Sequence, residues 1–151
     1  MEYKQVQQAA QKQHIARQVL EGLQDWFAIE ETREQYIKDS ASQPFFCAMD
    51  NLIPVGFLCL KETGKATVEL AVMGVHPEYH RKGVGRALFN MAKASAKDMG
   101  YSFMQVKTVK MGIYEDYDRT NLFYLSLGFQ ELEVLPIWDE QNPCQIYIMA
   151  L

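Results

Sequence analysis

The chain has 151 residues, of which 48% are hydrophobic, and a formal net charge of −4. This length predicts a single domain spanning residues 1–151 with a substantial core, and the net acidity argues against nucleic-acid binding. No apolar run approaches the roughly 20 residues that a membrane span needs, and the N-terminus lacks a signal-peptide pattern, so we expect a cytoplasmic protein without a membrane contact.

The first forty residues predict a short strand and two helices. Residues 3–8 are compatible with a strand, and from about Ala9 the apolar residues recur at helical spacing as far as Leu23. Residues 30–40, which are rich in Glu and contain Arg33, predict a second helix. Two helices therefore precede the main run of strands.

Trp26 and Phe27 fall in the connection between these two helices. Aromatic side chains in such a connection either close over the core or line a binding pocket. The sequence leaves both interpretations open.

The middle of the chain predicts four strands and one helix. Strands at 45–49 and 55–61 form a hairpin by their spacing. An apolar strand at 68–75 is followed by a helix at 84–99 and a strand at 103–109. These three elements predict a βαβ unit whose strands are parallel neighbours.

The last forty residues predict a loop, a short helix and two closing strands. The helix begins at Asp118 or Thr120, either of which can cap it, and ends at Leu127 before Gly128. The remaining predicted elements are the polar and aromatic loop 111–118, the strands 129–135 and 145–149, and the loop 136–143.

The element order is therefore β, α, α, three antiparallel strands, α, β, α, β, β. This order predicts an α/β fold with a mixed, mostly antiparallel central sheet flanked by about four helices. No internal repeat or linker interrupts it.

A basic turn with two glycines lies between the strand at 68–75 and the helix at 84–99. The first N–H groups of a helix have no helical partner and lie at the positive end of its dipole. Gly83 and Gly85 would let a phosphate approach these groups closely. Positive potential is added by Arg81, Lys82 and Arg86. The turn therefore predicts a phosphate site, although it matches neither a P-loop nor a dinucleotide-binding fingerprint.

Two segments resemble motifs of the GCN5-related N-acetyltransferase (GNAT) superfamily. Val75-His76-Pro77 followed by the run His80-Arg81-Lys82-Gly83-Val84-Gly85 is similar to its acyl-CoA-binding motif, with His80 where Gln or Arg is usual. Phe123-Tyr124 followed by Gly128-Phe129 is similar to its FYxxxGF signature. The resemblance implies an N-acetyltransferase that uses acetyl-CoA, with two splayed parallel strands at 68–75 and 103–109.

The resemblance also implies which residues contact acetyl-CoA. They are Met73, Val75, His80, Arg81, Lys82, Gly83, Val84, Gly85, Arg86, Asn121 and Tyr124. Most of these contacts are expected from backbone N–H groups. Asn121 is included because Tyr117 stands where many relatives carry an Asn that contacts pantetheine.

Three residues are candidates for catalysis. Glu69 is a carboxylate in an otherwise apolar strand, where loss of water makes it a better proton acceptor, and it stands where several GNAT enzymes carry a catalytic glutamate. The alternatives are a solvent-facing Glu69, a pair with a lysine, or a base supplied by ordered water or another carboxylate. The resemblance implies that the Met73 N–H, near a bulge at Gly74, stabilises the oxyanion and that Tyr124 protonates the thiolate. A core tyrosine is the alternative for Tyr124.

Aromatic and acidic residues in the late loops suit a cationic amine as the acceptor, and the alternative is that these are the ordinary exposed loops of an acidic protein. The candidate acceptor contacts are Trp26, Phe27, Tyr114, Tyr117 and Trp138. The aromatic bulk near both tryptophans favours a closed pocket, and hence a small molecule that receives the acetyl group directly in a ternary complex. A protein acetyltransferase and a non-catalytic acyl-CoA sensor remain as alternatives, as do monomer and homodimer.

The cysteines and histidines form no recognisable metal or disulfide pattern. Cys47, Cys59 and Cys144 are widely spaced, so we expect small buried hydrophobic residues there. The histidines are not spaced with carboxylates as in a metal site, and we predict no metal cofactor.

Overall fold

A computed structural model describes all 151 residues and contains seven strands and four α-helices. The strands are β1 (Glu2–Val6), β2 (Phe45–Asp50), β3 (Ile53–Glu62), β4 (Thr67–Val75), β5 (Phe103–Val109), β6 (Gln130–Asp139) and β7 (Asn142–Ala150). The helices are α1 (Ala9–Glu21), α2 (Glu30–Ser40), α3 (Val84–Asp98) and α4 (Glu115–Ser126). The sheet order is β1-β2-β3-β4-β5-β7-β6, with β4 and β5 parallel. The predicted α/β fold class is confirmed.

The chain forms two compact units. The first comprises Met1–Lys61 and Ala71–Ser95, and the second comprises Glu62–Leu70 and Ala96–Leu151. No helix is long and apolar enough to cross a membrane. The assignment of residues 1–151 to one domain stays a prediction.

The core of the first unit lies between α1 and the hairpin of β2 and β3. The rings of Phe45 and Phe57 stack with centroids 5.2 Å apart, and Val19 and Leu20 of α1 are fully buried. Gly74 of β4 belongs to this core, because a Cβ there would lie 2.8 Å from Leu23 Cδ1. Gly74 therefore has a packing reason, and the bulge expected near it stays a prediction.

The second unit is built around β7. This strand pairs antiparallel with β5 from Cys144 to Ala150 and with β6 on its other side. Tyr147, at its centre, is 1% exposed. By contrast β6 is an edge strand whose side chains are almost all exposed.

Several boundaries differ from those predicted, among them the start of the last helix and the ends of the closing strands. The last helix begins at Glu115, after an extended Tyr114, and the proposed cap Asp118 instead accepts a hydrogen bond from the Gly112 N–H at 2.7 Å. Acidic residues in its first turn suit the positive end of the helix dipole. The closing strands are longer than expected, and they meet at a tight turn in which the Asp139 carboxylate accepts a hydrogen bond from the Gln141 N–H at 2.9 Å.

All three cysteines are free and buried, as predicted. Burial raises the pKa of all three thiols, those of Cys47, Cys59 and Cys144. These thiols therefore behave as small core hydrophobes.

Candidate active site

The turn at residues 80–83 has the backbone of an anion site. Arg81 has a φ of 60° and Gly83 a φ of 80°, and a Cβ built at Gly83 would meet no heavy atom within 4 Å. The first bond that closes α3 runs from the Ala87 N–H to the Gly83 carbonyl at 3.0 Å. The N–H groups of Val84 and Gly85 lie ahead of this bond in the first turn of the helix, and open space lies in front of Gly83.

The basic residues of this turn are exposed, and the segment before it is anchored. Tyr79 ends a 3₁₀ turn, Pro77–Tyr79, and its hydroxyl donates a hydrogen bond to the Asp50 carboxylate. The Lys82 ammonium lies 5.5 Å from the centroid of the Tyr79 ring. Val84, by contrast, is 2% exposed, so only its backbone is available to a ligand.

His80 makes two contacts within the first unit. Its Nε2–H donates to the Val75 carbonyl at 2.6 Å, and its ring meets Trp26 edge-on with centroids 5.6 Å apart. Trp26 also packs against the core, as does Phe27, whose ring contacts Tyr36 at 5.9 Å. The contacts of Phe27 fit closure of the core. Trp26 packs against the core as well, and it also contacts His80 in the turn.

The alternation of β4 places the predicted catalytic positions on one face. Its even-numbered residues from Val68 to Gly74 are buried, whereas Glu69, Met73 and Val75 lie on the half-exposed face. This is the two-residue period of a strand. The strand is therefore buried on one side rather than on both.

Glu69 is paired with a lysine. Lys107 Nζ donates to Glu69 Oε1 at 2.9 Å, and the Glu69 side chain is only 14% exposed. In the parallel register Glu69 lies opposite Gln105, so Lys107 is two residues farther along β5 and on the same face. The pair with a lysine, one of the alternatives left open by the sequence, is therefore present.

Tyr124 lies on α4 and is 8% exposed. Its ring packs edge-on against Phe129 with centroids 5.9 Å apart and is tilted toward Tyr147 at 6.3 Å. These contacts fix the ring, and its predicted acid role is untested by them.

Asn121 is fully buried and its amide is engaged inside the protein. Its Nδ2 donates to the carbonyls of Val109 and Tyr117, at 2.9 and 2.6 Å, and its Oδ1 accepts from the Tyr147 hydroxyl at 2.6 Å. The structure does not favour the predicted pantetheine contact, because both donors of this amide already have partners. Asn121 instead joins α4 to β5 and β7.

The remaining acceptor candidates belong to the second unit. Tyr114 and Tyr117 meet at 6.0 Å, and burial raises the pKa of the Tyr117 hydroxyl. Trp138 is 47% exposed and lies on β6, not in the predicted loop. The structure thus joins the two tyrosines, and their contact with an acceptor stays a prediction.

The comparison with protein families identifies this chain. A family model described as an acetyltransferase (GNAT) domain matches residues 40–131, more than half of the chain. The chain belongs to the GNAT acetyltransferase family. The predicted family and enzyme class are therefore confirmed. No curated protein sequence matches it.

Several solved structures share the GNAT fold of this chain. A GNAT-family acetyltransferase from Desulfovibrio desulfuricans is 19% identical with a TM-score of 0.82, and the match covers 99% of each chain. An aminoglycoside 6′-N-acetyltransferase complexed with coenzyme A is 16% identical with a TM-score of 0.77, over 99% of this chain and 97% of the other. A GNAT acetyltransferase from Elizabethkingia anophelis with acetyl-CoA bound is 19% identical with a TM-score of 0.67, over 85% and 88%.

Three partners of the candidate residues were missed from the sequence. Lys107 pairs with Glu69, Asp50 anchors Tyr79, and Gly22 faces His76, since a Cβ at Gly22 would lie 2.3 Å from His76 Cε1. Each pair is separated by tens of residues in the chain. A strand register predicts the first pair, but no local pattern predicts the other two.

Proposed function

We propose that this GNAT protein is an N-acetyltransferase that moves an acetyl group from acetyl-CoA directly to the amine of a small molecule. The observation that carries the proposal is the turn before α3. It combines the N-terminal end of a helix, a Gly83 at a φ of 80° with no atom near its Cβ position, and exposed Arg81 and Lys82. These features suit the pyrophosphate of coenzyme A.

In this proposal the turn holds the pyrophosphate mainly through the backbone. Gly83, Val84 and Gly85 contribute N–H groups, and the side chains of Arg81 and Arg86 add positive potential. Lys82 contributes charge from its position beside the Tyr79 ring. The backbone of Val75 holds the pantetheine amide.

The reaction needs a proton acceptor, an oxyanion donor and a proton donor, but no nucleophilic side chain. The acceptor amine attacks the thioester carbonyl carbon while the Met73 N–H stabilises the developing oxyanion. Collapse of the tetrahedral intermediate breaks the C–S bond. The Tyr124 hydroxyl gives its proton to the departing thiolate, and Glu69 takes one from the amine.

A small acceptor is supported by aromatic and acidic side chains. The paired rings of Tyr114 and Tyr117, with Glu115 and Asp116 beside them in the chain, suit a cationic amine. The whole-chain likeness to an aminoglycoside acetyltransferase agrees with such an acceptor. Trp26 and the exposed Trp138 are further candidates for its contacts.

One observation favours a second candidate function. Because the Glu69 carboxylate already pairs with Lys107, proton abstraction by Glu69 would compete with this ion pair. An acyl-CoA-binding domain without transfer activity is consistent with that arrangement. A protein amine is the other alternative acceptor.

The test combines calorimetric titration of CoA with thiol release from acetyl-CoA. The acceptor panel contains polyamines, aminoglycosides, amino acids and lysine peptides. Tight CoA binding and release of one thiol per acetylated small amine are expected. Transfer to peptides alone would favour a protein acetyltransferase, binding without transfer would favour the sensor, and absence of CoA binding would contradict the whole proposal.

A further inference from the structure

Two side-chain contacts join the α1–α2 connection, residues 22–29, to the segment 76–80 that leads into the phosphate turn. The His76 ring lies against Gly22, where a Cβ would come within 2.3 Å of the ring. Four residues later on each side, Trp26 meets the His80 ring at 5.6 Å with an interplanar angle of 76°. The two segments therefore contact each other at two places.

His80 extends this contact to the end of β4. Its ring Nε2–H donates to the Val75 carbonyl at 2.6 Å, so one imidazole contacts both the strand end and Trp26. The side chain is exposed, and no core packing demands an imidazole at this position. A Gln could donate the same hydrogen bond, but it offers no ring to Trp26.

We propose that His80 is a positioning residue that couples the phosphate turn to the α1–α2 connection. This inference rests on the proposed function, because the ligand of the turn is the pyrophosphate of acetyl-CoA. A pyrophosphate bound at residues 81–85 restrains the backbone on both sides of His80, and the ring passes that restraint to Trp26. Acetyl-CoA binding therefore orders the connection before the acceptor binds.

The coupling is measured by a double-mutant cycle on CoA affinity. The variants are His80→Ala, Trp26→Ala and the double variant, each titrated with CoA by calorimetry. An edge contact or a single hydrogen bond corresponds to a loss of about 2- to 10-fold in affinity for each single variant. The double variant should bind CoA no more weakly than the single variant with the lower affinity, because each change already breaks the same connection.

His80→Gln separates the two contacts of the imidazole. It keeps a donor for the Val75 carbonyl but removes the ring from Trp26, so it should lose the same about 2- to 10-fold in CoA affinity as Trp26→Ala. Trp26→Ala in this background should then have no further effect. His14→Ala, which removes an exposed imidazole from α1, is the matched control and should leave CoA affinity unchanged.

Fluorescence supplies a readout that a purely structural role would not move. In a Trp138→Phe background, saturating CoA should change the emission of Trp26, and His80→Ala should abolish that change although CoA is bound. Additive losses in the cycle, or an unchanged Trp26 response in His80→Ala, would overturn the inference and leave the proposed function intact. A wild-type chain that binds no CoA would overturn both.

Discussion

Replacing Gly83 with alanine tests the phosphate turn most directly, because the chain offers a matched control. Gly83 and Gly100 have φ values of 80° and 91°, and at both positions a Cβ would meet no heavy atom within 4 Å. Gly83 precedes α3 and Gly100 follows it. Alanine therefore imposes the same kind of backbone strain at both ends of one helix, with no steric clash at either.

The magnitudes separate strain from binding. An L-residue in the left-handed region costs roughly 1–2 kcal/mol, so both variants should unfold about 2–8 °C below the wild type. Only Gly83→Ala places a methyl group where phosphate oxygens approach the N–H groups. Loss of a hydrogen bond to a charged group there should weaken CoA binding by about 10- to 100-fold.

The assay is calorimetric titration with CoA beside thermal unfolding of the ligand-free proteins. Gly100→Ala should bind CoA as the wild type does while sharing the lowered unfolding temperature. Wild-type affinity in Gly83→Ala would remove the turn from the binding site. An equal loss of affinity in both variants would mean that backbone strain, and not phosphate access, accounts for the effect.

Four further predictions concern the other candidate residues. Tyr124→Phe keeps the ring contacts and should lower turnover by about 10²- to 10⁴-fold with CoA affinity unchanged; unchanged turnover would exclude an acid role. Glu69→Gln should lower turnover by a similar factor of about 10²- to 10⁴-fold if Glu69 is the base. Full turnover with a lowered unfolding temperature would leave it only as the partner of Lys107. Asn121→Ala leaves the buried Tyr147 hydroxyl without its acceptor and should cost about 2–5 kcal/mol, seen as a lower denaturant midpoint; Asn90→Ala, at an exposed position of α3, is its control. Finally, the three buried cysteines should give no reaction with a disulfide reagent until the chain is unfolded, so the thiol-release assay has no protein background.

Local patterns were enough to predict the elements that position the turn. The second helix begins and ends at Glu30 and Ser40, as its composition indicated, and the β4-turn-α3 segment follows its predicted order. The start of α4 could not be predicted from capping residues, because Tyr114 caps it with extended backbone and no side-chain bond. Asp118 could either cap the helix or accept the hydrogen bond from the Gly112 N–H, and the fold of residues 111–114 decides between the two.

Side-chain partners that lie far apart in the chain could not be predicted from the sequence. Glu69 was identified as a candidate base from its apolar neighbours, but its partner lies 38 residues away. Only the parallel register, with Thr67 opposite Phe103, brings Lys107 to the same face. Asn121 is a similar case, since its three hydrogen bonds reach another turn of its own helix and two strands, β5 before that helix and β7 after it.

The alternation of β4 links packing to the proposed chemistry. Burial of Val68, Leu70 and Val72 on one side fixes the strand against the core. A slip of one residue would bury the Glu69 carboxylate and expose these apolar side chains, so the register is strongly specified. The same packing that stabilises the strand therefore keeps the Glu69 side chain on the half-exposed face, where its carboxylate pairs with Lys107.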